Sequence, residues 1–86
     1  MPKCEFEKSG AARVVTVDGS ELSFNRGKAT RTLSPGEYAV HWFARGDASD
    51  TFSVKVTRPL SAKRKVEGTI DSSGKDAGTF WMRVSV

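Results

Sequence analysis

Apolar residues in this chain recur at every second position, in short runs, and no segment carries the 3.6-residue period of an amphipathic helix. That alternation suits strands with one apolar face, and Gly, Pro, Asp, Asn and Ser break the runs where turns are needed. Cys4 and Phe6 alternate with Glu5 and Glu7, which reads as a first strand lying at an edge. Val15 and Val17 mark a second strand, and Asp18-Gly19 is a tight-turn signal before Leu22 and Phe24. Asn25-Arg26-Gly27 turns the chain again into residues 28–33. Ser34-Pro35-Gly36 suits a type II turn, with proline pre-setting φ and glycine supplying the positive φ that follows.

Tyr38, Val40 and Trp42 then alternate with Ala39, His41 and Phe43, and Phe52, Val54 and Val56 with Ser53, Lys55 and Thr57. The spacing predicts a long hairpin around the loop Gly46-Asp47-Ala48-Ser49. Arg58-Pro59 ends its second arm, because proline cannot donate to a ladder. Val66, Gly68 and Ile70 lead through a polar turn at residues 71–76 to a last strand. That strand carries Phe80, Met82, Val84 and Val86 on one face and Thr79, Trp81, Arg83 and Ser85 on the other, as a second predicted hairpin. Seven to eight short strands with short connections predict an all-β, two-layer antiparallel sandwich, formed by residues 1–86 as one domain. At 86 residues, folding removes roughly 60–65% of the unfolded surface, enough for one thin core.

The run Leu33-Ser34-Pro35-Gly36-Glu37-Tyr38 resembles the tyrosine-corner segment of immunoglobulin-like and fibronectin type III-like sandwiches. The resemblance, which extends over residues 33–57, implies that Tyr38 packs its ring inward and bonds its hydroxyl to upstream backbone, with Trp42 in the core. It departs from those families in the strands that follow, so a permuted or extended sandwich and a jelly-roll-like arrangement both remain open. It implies a fold class and no activity.

Composition excludes several chemistries. One cysteine, Cys4, leaves no internal disulfide framework and no thiolate-pair zinc site. His41 is the one histidine, in mid-strand on the face opposite Tyr38 and Trp42, and reads as a surface imidazole. No serine stands in a nucleophile-elbow context, and nothing pairs a nucleophile with an oriented base. Asp47 and Asp50, like Asp71 and Asp76, flank turns and read as turn acceptors rather than as a calcium loop or a glycosidase pair. The expectation is a protein that is not an enzyme and has no cofactor and no metal. Nothing approaches a membrane-spanning run, and the first residues lack the apolar stretch of a signal peptide. The compartment stays unknown, with a cytoplasmic location the expectation unless a leader has been removed.

Three features point to binding. Period two places His41, Phe43, Trp81 and Arg83 outward, where aromatic faces suit a sugar ring or a base. Arg58, Lys63, Arg64 and Lys65, with Lys55 and Arg45, form a basic patch in a chain of net charge +4, the electrostatic half of a contact with nucleic acid or another anionic polymer. Glu67 and Asp71 dilute that patch, and nucleic acid is the less favoured partner. Sheet edges are the third feature. Glu5, Glu7 and Lys8 look like edge guards on the first strand, while the last strand has little beyond Arg83. The leading expectation is a binding module that engages a protein partner or a second copy of itself, with glycan binding through Trp81 and Phe43 as a sharper variant and anionic-polymer binding as the alternative.

Overall fold

The structure, a computed structural model, describes residues 3–59 and 62–85. Eight strands form it: β1 (Lys3–Gly10), β2 (Ala12–Val17), β3 (Ser20–Glu21), β4 (Lys28–Thr32), β5 (Gly36–Arg45), β6 (Thr51–Arg58), β7 (Arg64–Thr69) and β8 (Lys75–Val84). They pair antiparallel in two four-stranded sheets, β4-β1-β6-β7 and β3-β2-β5-β8. This is the two-layer antiparallel sandwich that the alternation predicts. Val86 lies outside the described residues.

The inner faces carry the apolar half of each alternation. Phe6, Val54 and Val56 of the first sheet and Val15, Val40 and Met82 of the second are almost entirely buried. Trp42 and Phe52 meet between the sheets with ring centroids 5.0 Å apart and planes tilted by 38°. Asp18 and Gly19, at φ 48° and 84°, make the two-residue turn with both φ values positive that matches strand twist, and Arg26 and Gly27 repeat it at 55° and 80°. Gly36 enters β5 at φ 153°, well beyond the roughly 80° that a type II turn requires.

Two connections differ from the sequence reading. β5 and β6, expected as the arms of one hairpin, lie in opposite sheets, so residues 46–50 carry the chain across the sandwich. β7 and β8 are likewise split between the sheets. Alternation dictates which face of a strand is apolar and leaves its neighbour open, because a hairpin and a crossing arch bury the same residues. β1 also differs from the expected edge strand: it sits between β4 and β6. Its acidic residues serve cross-strand pairing, Glu5 with Arg58 at 3.1 Å and Glu7 with Lys28 at 3.8 Å.

Candidate functional site

The outer face of β3-β2-β5-β8 holds all four residues expected to look outward. Trp81 lies opposite Ala39, Thr79 opposite His41, Ala77 opposite Phe43 and Arg83 opposite Glu37. Trp81 is 61% exposed and stands out as the exposed large apolar side chain, whereas Trp42 on the inner face is 9% exposed. His41 is exposed, and its Nδ1 pairs with Thr79 Oγ1 at 2.7 Å. Phe43 is half-buried. Trp81 and Phe43 share the face without touching: four residues of β5 separate their levels, about 13 Å along the strand, with the His41–Thr79 pair between them. They are two separate contact points rather than one platform.

β8 lies at the edge of its sheet, as its unguarded sequence suggests. The Asp18 amide donates to the Ala39 carbonyl, and the Arg45 amide to the Ala11 carbonyl. Odd-numbered residues of β5 therefore bond toward β2 and even-numbered ones toward β8, since an antiparallel strand alternates the direction of its polar groups. The register pairs even with even across β5 and β8. Lys75, Ala77, Thr79, Trp81 and Arg83 consequently turn their amides and carbonyls to the open edge. The Asp76 carboxylate accepts the Ala77 amide at 2.8 Å.

The other edges are protected. β7 carries Arg64, Lys65 and Glu67, charges of the kind that keep edges apart. β3 has two residues, and Arg31 of β4 reaches across the sandwich to the carbonyls of Ser20 and Glu21. This clasp closes the β3–β4 side. On β8, residues 77–82 hold no charge, proline or bulge.

The basic segment does not gather into one patch. Arg58 is ion-paired with Glu5 and Lys65 with Glu67 at 3.3 Å. Lys65 lies opposite Lys55, while Arg64, opposite the buried Val56, belongs to the other face of β7. Lys63 is exposed just before that strand, and Arg45 lies in the other sheet.

A second feature of this face has no signature in the sequence pattern. Arg13, Phe43, Arg45, Gly46, Asp47, Ser73, Gly74 and Lys75 line an open cleft of about 780 Å³ at one end of the same outer face. Arg13 and Lys75 come from strands distant in sequence, and the crossing loops that join them to Arg45 leave no trace in a periodicity. Asp71, behind the lining, holds Ser73 in place: its carboxylate accepts the Ser73 amide and hydroxyl, and those bonds, the hydroxyl's first, hold its pKa below the ordinary value. Asp50 accepts the Asp47 amide in the loop opposite. Both act as the turn acceptors their positions suggest.

Cys4 is fully buried in β1, where burial pushes its thiol pKa up, and His41 lies exposed in the other sheet. Among the described residues, no three His, Cys, Asp or Glu side chains gather as metal ligands, and no helix is long and apolar enough to cross a membrane. Compared with known proteins, the chain matches no family model, no curated protein and no solved structure.

Proposed function

We propose that this sandwich is a non-enzymatic interaction module that self-associates by pairing the open edge of β8 with β8 of a second copy. The observation that carries the reading is a ten-residue edge strand, uncharged along its middle, with Trp81 of that middle stretch exposed on the outer face. Such an edge offers a row of amides and carbonyls to another strand, with the Ala77 amide released from the Asp76 carboxylate when the strands pair.

The direction of those groups supports a particular register. Odd residues must pair with odd residues, so the two-fold axis stands perpendicular to the sheet and both outer faces share one side. Pairing Thr79 with Thr79 of the second copy would set Lys75 directly opposite Arg83, a destabilising meeting of like charges. Pairing Thr79 with Trp81 instead sets Lys75 opposite Ser85 and Arg83 opposite Ala77. It also brings the half-buried Phe80 against its own copy. The second register is favoured.

The domain is, on this reading, an immunoglobulin-like sandwich in extended form, with β6 and β7 inserted between the counterparts of strands F and G. Tyr38, half-buried, donates its hydroxyl to the Ser34 carbonyl at 2.6 Å, as a tyrosine corner does. The order β3-β2-β5-β8 parallels C′-C-F-G, and β4-β1-β6 parallels E-B-A with β6 taking the place of a first strand. Two further readings have less support. Glycan binding would use Trp81 and Phe43 as isolated points, and anionic-polymer binding would use Arg58 and Lys65, which already have carboxylate partners.

Sedimentation equilibrium tests the proposal. Wild type is expected as a reversible dimer, with Thr79→Lys and Trp81→Lys monomeric and unchanged in unfolding midpoint at low concentration. Wild type that stays monomeric to millimolar concentration, or variants that dimerise equally well, would overturn it.

A further inference from the structure

The cleft at the end of β5 presents three cations, Arg13, Arg45 and Lys75, against one carboxylate, Asp47. Arg45 and Lys75 are direct cross-strand partners. Like charges so placed repel and cost stability unless an anion compensates them. The ion pairs among the described residues, Lys28–Glu7, Arg58–Glu5 and Lys65–Glu67, all lie on the other sheet and include none of the three. Arg13 is held in place by its Nε, which donates to the Arg45 carbonyl at 3.0 Å. The Gly46 amide donates to the Gly74 carbonyl at 3.0 Å, tying the two crossing loops that frame the opening. Half-buried Phe43 supplies an aromatic wall beside the charges.

We infer that this cleft binds a small molecule bearing a phosphate group, with the phosphate held by Arg13, Arg45 and Lys75 and the rest of the molecule against Phe43. Two guanidinium forks and an ammonium suit a tetrahedral dianion, because planar forks bond oxyanions bidentately and the lysine adds a point charge. The volume falls within the range of small-ligand sites. A flat ring next to the phosphate gains contact with the Phe43 face. The inference rests on residues apart from the middle of the β8 edge, so it stands or falls independently of self-association.

Titration of backbone amide resonances with inorganic phosphate, ribose 5-phosphate and adenosine monophosphate tests it, at constant ionic strength. Phosphate is expected to shift Arg13, Arg45, Gly46, Gly74 and Lys75 and to spare Lys55 and Lys65 on the other sheet. Arg45→Gln and Arg13→Gln should each weaken phosphate binding by about tenfold, the loss of one charge-assisted contact. Tighter binding of adenosine monophosphate that Phe43→Leu removes would identify an aromatic ligand. Equal binding of both esters, tighter than phosphate, would identify a sugar phosphate. Shifts spread evenly over all cationic residues, or binding unchanged in both arginine variants, would overturn the inference.

Discussion

The indole of Trp42 lies directly over Gly78: a Cβ built on that glycine would stand 2.6 Å from Trp42 Cζ2. Gly78 is the cross-strand partner of Trp42 on β8, and the same relationship recurs in the other sheet. There a Cβ on Gly68 of β7 would stand 2.9 Å from the Phe52 ring. The two rings pack on each other between these glycines, so neither can retreat. Gly78→Ala is therefore expected to cost about 1–3 kcal/mol, the usual penalty for overpacking. Urea unfolding should show a lower midpoint at unchanged slope. Adding Trp42→Phe should recover part of the loss, because the smaller ring vacates the contact.

The register proposed for the dimer has a covalent signature. In that register Phe80 faces Phe80 of the second copy as a non-hydrogen-bonded pair, with Cα atoms about 4.5 Å apart, within reach of a disulfide. Phe80→Cys should oxidise to a covalent dimer faster than Thr79→Cys. The buried Cys4 does not compete. The opposite order of rates would indicate the register centred on Thr79.

Asp71 gives the turn before β8 a pH dependence. Its depressed pKa means that the folded state favours the carboxylate, which accepts from the Ser73 hydroxyl and amide. This contribution is present above the unfolded value, near 3.8, and is lost as pH falls through the lower folded value. The stability difference between wild type and Asp71→Asn should accordingly be seen at neutral pH and close below about pH 4. Thermal unfolding at several pH values reads it. A difference independent of pH would show that the carboxylate's charge plays no part.

Much of the sandwich was legible in the chain because burial on one face imposes period two. Val40 and Trp42 fall inward, His41 and Trp81 outward, and the Asp18-Gly19 and Asn25-Arg26-Gly27 turns lie where their residues demand. Strand neighbours were not legible. The crossing loops after β5 and β7 resemble hairpin turns in composition, and the central place of β1 depends on β6, some fifty positions away in the chain. The cleft was hidden for the same reason, since Arg13, Arg45 and Lys75 converge through that topology. The edge of β8 was visible because charge is absent from a stretch where a guarded edge would carry it.

Amide hydrogen exchange along β8 at two protein concentrations tests self-association most directly. By the alternation of the β5–β8 register the Phe80 and Met82 amides point to β5 and should be protected at both. The Thr79 and Trp81 amides face the open edge and should exchange fast when dilute, then slow as concentration rises and a second β8 pairs with them. Fast exchange at Thr79 and Trp81 at every concentration, beside protected Phe80 and Met82, would contradict the account.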